Sequence, residues 1–183
     1  MISKSIKTLA LIMLHYYSVS QSISGFTQWK TGHDSKTIAY FPIDSKSCLI
    51  NENGKWIAHA KFKVKQYGEM SFPINPSTPS SEEALKVDMS KSQFIIVRYK
   101  SNQPLILQLR EYNIHGGAQN HIILRPSDSF TTKKVLLSSF KGGKTPLDLK
   151  NVAKFNFAVL SNNQQDGFAE FFIDKFLIDN YTP

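Results

Sequence analysis

The stretch Lys55-Trp56-Ile57-Ala58-His59-Ala60-Lys61-Phe62-Lys63-Val64-Lys65 alternates along its whole length. Trp56, Ala58, Ala60, Phe62 and Val64 fall on one side, and Ile57, His59, Lys61, Lys63 and Lys65 on the other. A period of two is that of a strand with one face buried and one in water. Trp56 is therefore expected in the core and the lysines outside. Asn53-Gly54 stands just before it, and that dipeptide takes the positive φ angles of a two-residue hairpin turn. A partner strand is expected over 47–50. The lysine stripe has the summed charge to meet an acidic glycan, lipopolysaccharide or a membrane surface. The simpler account is an edge strand guarded by lysines against pairing with other chains.

The pattern repeats along the chain. Segments 93–100, 105–111, 121–125, 132–137, 154–160 and 170–178 are short runs of β-branched, aromatic and leucine residues, punctuated by Ser101-Asn102-Gln103-Pro104, Gly116-Gly117, Gly142-Gly143 and Asn162-Asn163-Gln164-Gln165-Asp166-Gly167. Residues 71–83 hold Pro73, Pro76 and Pro79 among serines and read as a loop, since proline cannot donate to a ladder; a turn of helix is expected over 82–85. No segment past residue 25 keeps a 3.6-residue apolar period for ten residues. Many short strands at this spacing predict an all-β fold, an antiparallel β-sandwich, in one domain over 25–183.

Composition narrows the classes. The chain has 183 residues, 41% hydrophobic and 20% charged, so it can bury a core. Its 12% aromatic content suits strands and sugar-facing surfaces. One cysteine, Cys48, excludes an internal disulfide and a cysteine-based zinc cluster. The formal net charge is +8. No apolar run reaches the roughly 20 residues of a membrane span, so an integral membrane protein is not expected. No nucleic-acid-binding motif is present, so nucleic acid is not expected as a partner. At the N-terminus, Lys4 and Lys7 precede Leu9-Ala10-Leu11-Ile12-Met13-Leu14, with Ser18, Ser20 and Ser22 following. A basic segment, a short apolar run and small residues at the end form a secretory signal over 1–22. The protein is expected to be secreted or periplasmic.

Several blocks resemble a known superfamily. Val87-Asp88-Met89-Ser90, the strand 93–100 and the return Pro104-Leu105-Ile106-Leu107-Gln108-Leu109-Arg110 are similar to one conserved region of galactose-binding-like jelly rolls. Phe130-Thr131-Thr132-Lys133-Lys134-Val135-Leu136-Leu137, Leu147-Asp148-Leu149-Lys150-Asn151-Val152 and Gly167-Phe168-Ala169-Glu170-Phe171-Phe172-Ile173-Asp174 resemble later blocks in the same order. The likeness is to family 11-type carbohydrate-binding modules and to the complex I intermediate-associated protein 30 superfamily. It implies a jelly-roll sandwich with a ligand lying across one sheet face. It also implies a structural calcium near the sandwich edge, with Asp174 as a ligand and Asp34, Asp44 or Glu52 as partners.

The alternation sorts candidate binding residues. With the leucines of 105–111 inward, Gln108 and Arg110 project outward. By the same parity Arg98, His121 and Asn156 point outward on their strands. If strands 93–100 and 105–111 pair across Ser101-Asn102-Gln103-Pro104, Arg98 comes within reach of Gln108. Planar guanidinium, amide and imidazole groups suit sugar hydroxyls, and Trp29, before the first clear strand, is a stacking candidate. Tyr67, Tyr99 and Tyr112 are further aromatic candidates. No G-x-S-x-G, H-E-x-x-H or phosphate loop occurs, and neither Cys48 with a histidine nor Glu111 or Glu170 with Asp166 carries a catalytic signature. The reading is a non-catalytic carbohydrate-binding protein for a poly- or oligosaccharide. The alternative is a secreted protein-protein interaction domain without sugar binding.

Overall fold

The computed structural model describes residues 23–26, 28–43, 47–78, 84–114, 116–161 and 167–181. The secretory signal expected over 1–22, Asp44, Asp166 and residues 79–83 lie outside the described residues. The strands are β1 (Lys30–His33), β2 (Ile38–Phe41), β3 (Leu49–Glu52), β4 (Lys55–Lys63), β5 (Tyr67–Pro73), β6 (Phe94–Ser101), β7 (Leu105–Glu111), β8 (Asn120–Leu124), β9 (Ser127–Leu136), β10 (Val152–Leu160) and β11 (Ala169–Ile178). They form two sheets. The front sheet runs β1-β5-β10-β7-β8, and the back sheet β2-β4-β11-β6-β9 with β3 also on β4. All the strand pairings are antiparallel. This is the antiparallel β-sandwich of jelly-roll type that the alternation and the resemblance led us to expect.

The core lies where the inward faces meet, and a cluster of aromatic rings runs through it. Phe176 of β11 has ring neighbours at 5.0 Å (Phe72), 4.8 Å (Phe155), 5.9 Å (Phe26) and 6.1 Å (Phe157). Burying one such side chain stabilises by about 1.5–3 kcal/mol. Gly68 on β5 lets the sheets approach: a Cβ there would stand 2.9 Å from the ring of Phe62 across the core.

The Asn53-Gly54 turn has positive φ at both residues, 53° and 81°, and joins β3 to β4 as expected. Five expectations are corrected. Trp56 is 39% exposed; it sits beside the hairpin turn opposite Asn51, where strand parity fixes its side but the other sheet does not cover it. β4 is an inner strand, flanked by β11 on one side and by β2 and β3 on the other, so its lysines guard no edge. Residues 71–73 complete β5, with Pro73 as its last residue, and Ala84 bridges to Pro76 rather than turning into helix.

The fifth correction concerns β6 and β7. They belong to different sheets, and Ser101-Asn102-Gln103-Pro104 carries the chain from one to the other. Ser101 and Gln103 are buried there, and the Ser101 hydroxyl donates to the Gln103 carbonyl at 2.6 Å. A hairpin and a corner between sheets leave the same alternation in the sequence. The outward faces of β6 and β7 therefore point in opposite directions.

Candidate functional site

The outward face of the front sheet is built in cross-strand rows. Ser71, Asn156, Gln108 and His121 lie side by side on β5, β10, β7 and β8. The next row is Glu69, Ala158 and Ile106, and Arg110 stands opposite Lys154. Ala158 is the small residue at the middle of its row, and the sheet is hollowed around it. The resulting groove has a volume of about 350 Å³ and is lined by Tyr67, Glu69, Gln108, Arg110, Gly117 and Gln119 around Ile106, Ala158 and Leu160.

Its polar groups are incompletely satisfied. The Asn156 amide nitrogen donates to Oε2 of Glu69 at 3.0 Å and to Oε1 of Gln108 at 3.4 Å, while its oxygen is buried without a partner. Gln119 is 5% exposed, and neither its amide nitrogen nor its oxygen has a partner. A buried unpartnered group costs about 1–3 kcal/mol, so two of them beside one groove mark a place where ligand hydroxyls would be repaid with hydrogen bonds. Burial pushes the Glu69 carboxyl above its ordinary value; Arg110, Lys154 and the Asn156 amide pull it part of the way back.

Tyr67 forms one rim. Its position is fixed from below by Asp34, whose Oδ2 accepts the backbone N–H of Gln66 at 3.1 Å and of Tyr67 at 3.0 Å. The other Asp34 oxygen accepts from Lys36 and Thr37, and the Thr37 hydroxyl also donates to this carboxylate. That bond leads the causes holding Asp34 well below the usual carboxylate range.

The structure thus brings Gln108, Arg110, His121 and Asn156 to one face. His121 holds the Gln119 segment through Nδ1 and the Gln119 carbonyl, 2.9 Å apart. Arg98 is elsewhere: it projects from the back sheet, where its Nη1 lies 2.9 Å from Asp174. Trp29, expected as an exposed platform, is fully buried; its indole N–H donates to the Ile23 carbonyl at 3.1 Å and its ring lies 4.2 Å from Phe72. It cannot meet a ligand. Tyr99 is likewise buried, its hydroxyl donating to the Arg125 carbonyl. Glu69 and Gln119 escaped the sequence reading. Glu69 alternates with Gly68 and Met70 between Tyr67 and Ser71, a period-two signal hidden by the prolines that follow.

Calcium at Asp174 does not fit the surrounding groups. Both Lys55 and Arg98 pair with its carboxylate, so the neighbours are cations rather than oxygen donors. Asp34 spends its oxygens on backbone and hydroxyl donors, and among the described residues no three His, Cys, Asp or Glu side chains cluster for a metal. The groups weighed for catalysis are also spoken for. Cys48 is buried, which pushes its thiol up to about 12. Glu111 accepts from Asp148 and Asn120 on the front sheet, and Glu170 accepts from His59 and Lys61 on the back.

A larger hollow of about 820 Å³ lies at the sandwich edge by Leu136, Phe140, Gly143 and Pro146. Its buried amide, Asn120, donates to Glu111 and to the Thr145 carbonyl and accepts from Gly143. Among the described residues lining it no side-chain polar atom is buried without a partner, unlike at the groove.

Comparison with solved structures bears on the fold. The family 11 carbohydrate-binding module of a cellulosomal cellulase of Clostridium thermocellum superposes with a TM-score of 0.60, at 16% identity, over 84% of this chain and 88% of that one. The fold is that of the family 11 modules. The module from the same organism solved with a β-1,3-1,4-mixed-linked tetrasaccharide gives 0.58 over 84% and 89% at 16% identity. An exo-β-agarase matches at 0.52 and 16% identity, over 88% of this chain but 25% of the enzyme. At these identities the family 11 likeness is one of fold. No protein-family model and no curated relative matches the sequence.

Proposed function

We propose that the chain is an exported, non-catalytic glycan-binding protein whose ligand lies in the front-sheet groove. The observation that carries this reading is the buried, unpartnered amide of Gln119 and the buried, unpartnered amide oxygen of Asn156, beside Glu69, Gln108 and Arg110. Amides, a carboxylate and a guanidinium match the paired donors and acceptors of sugar hydroxyls, and the Tyr67 ring at the rim supplies a face for sugar C–H groups. The similar module solved with a mixed-linked tetrasaccharide makes that oligosaccharide the first probe. Among the described residues Glu69 is the one carboxylate lining the groove, whereas glycoside hydrolysis uses two flanking the bond. Export follows from the signal pattern over 1–22.

A glycan array followed by calorimetry with the β-1,3-1,4-mixed-linked tetrasaccharide tests the reading. Arg110→Ala should weaken binding about tenfold or more, because a hydrogen bond to a charged group is worth about 1.5–3 kcal/mol. Its melting temperature should hardly move. Absence of any bound glycan, or unchanged affinity in Arg110→Ala, would remove the groove from consideration.

A further inference from the structure

The outward face of the back sheet carries a cationic surface that the groove does not use. Its β4 lysines stand on an inner strand, so edge protection leaves them unexplained. Four carboxylates sit on the strands of this sheet: Glu52 of β3, opposite Lys55, and Asp128 of β9 are exposed, and Glu170 and Asp174 of β11 are engaged by cations. Glu170 meets His59 at 3.0 Å and Lys61 at 3.2 Å, and Asp174 meets Lys55 and Arg98. Lys63 on β4, Lys100 on β6, Lys134 on β9 and Lys175 on β11 remain; among the described residues none has a carboxylate within ion-pairing distance. These four strands are neighbours, and their registers spread the lysines along the sheet as well as across it: Lys63 lies beyond the Phe62–Ala169 pair, Lys100 opposite Phe172, Lys175 opposite Arg98 and Lys134 opposite Ile96.

Aromatic rings hold the cationic heads in place. Lys100 lies over Phe172 at 5.7 Å, Lys134 over Phe94 at 3.7 Å, and Arg98 over Phe130 at 5.1 Å. Phe172 is also stacked on His59, at 4.1 Å. Fixed cation–π contacts reduce the freedom these long side chains would lose on binding. They also bear on the class of partner: single-stranded nucleic acid needs open ring faces for base stacking, and here the rings of Phe94, Phe130 and Phe172 are covered by cations.

We propose that the outward face of the back sheet binds a linear acidic polysaccharide, its carboxylate or sulfate groups pairing with Lys63, Lys100, Lys134 and Lys175. A repeating anion on a stiff chain matches charges spread over four neighbouring strands better than a single small anion does. With a groove on one sheet and this face on the other, one molecule can hold two chains at once.

The test uses the full chain titrated with polygalacturonate at low salt. Lys100→Gln combined with Lys134→Gln should weaken binding about tenfold. Lys36→Gln combined with Lys86→Gln, the same charge change off this face, should change it less than about twofold. The difference should shrink as salt shortens the screening length. Lys100→Arg with Lys134→Arg, which keeps charge and ring contact, should retain wild-type affinity. Equal losses in the two Gln pairs would show that net charge alone is at work and overturn the proposal. So would loss of affinity in the Arg pair, or tighter binding to single-stranded DNA or phosphatidylserine vesicles than to polygalacturonate. Calorimetry with the neutral tetrasaccharide on the Lys100/Lys134 variant keeps this result separate from the groove.

Discussion

The amide nitrogen of Asn156 on β10 donates to Oε2 of Glu69 on β5 across 3.0 Å, beneath the front-sheet groove. This bond lets a carboxylate sit on a largely covered sheet face. It does not fully offset the cost of covering it, since burial still pushes Glu69 above its ordinary 4.5. A carboxyl whose folded value is raised opposes folding while ionised. That opposition is absent below the unfolded value of 4.5 and grows as pH rises through the folded one. Glu69→Gln keeps an acceptor for Asn156 and carries no charge. It should melt above wild type at neutral pH, and the gap should close as pH falls toward 4.5. Thermal melts across that range check this; a gap independent of pH would mean that Glu69 is not desolvated.

Asp34 has the opposite sign. Hydrogen bonds from Thr37, Tyr67, Lys36 and Gln66 hold it below its ordinary 3.8. The stability it contributes is present above 3.8 and is lost as pH falls through the lower folded value. Asp34→Ala should lower the melting temperature at neutral pH, with the difference narrowing in strong acid. Because Asp34 anchors the Tyr67 backbone, the variant should also weaken glycan binding through the rim. A melting difference that persists at the acid end would place the effect in chain geometry rather than in charge.

Cys48 gives a chemical check on the core. Burial pushes its thiol up to about 12, so almost no thiolate exists near neutral pH. Native protein should resist a disulfide-exchange reagent, and denatured protein should react fully. Rapid labelling of the native chain would mean that the segment before β3 opens.

Alternation carried much of the fold. It placed Leu107, Phe155 and Val97 inward and Gln108, Arg110 and Asn156 on the side that proved outward. It could not say which sheet a strand joins. Arg98 and Gln108 have the right parity and the right separation for a hairpin, yet the buried Ser101 and Gln103 turn the chain between sheets. Trp29 and Trp56 exchanged roles for a related reason: exposure depends on what the opposite sheet covers, and short strands such as β1 and β2 leave no periodic trace long enough to show it. Gln119 lies just before β8, where no period exists, and its place in the groove follows from the Gly116-Gly117 turn and the His121 contact.

Gln119 offers the sharpest separation of stability from binding. Both its amide atoms are buried without a partner, and it lines the groove. Gln103 is equally unpartnered but lies at the crossing between the sheets, away from the groove. Replacing a buried, unsatisfied amide with an apolar side chain of similar length removes a desolvation cost of about 1–3 kcal/mol. Gln119→Met and Gln103→Met should therefore both raise the denaturation midpoint, by about 1 kcal/mol in stability. Gln119→Met should also lose glycan affinity about tenfold, since ligand hydroxyls are left facing a thioether. Gln103→Met should bind as wild type. Denaturant melts and calorimetry on the two variants check this. If Gln119→Met were destabilised and bound the tetrasaccharide normally, its amide would be satisfied within the protein, and the groove would lose the feature that marks it as a binding site.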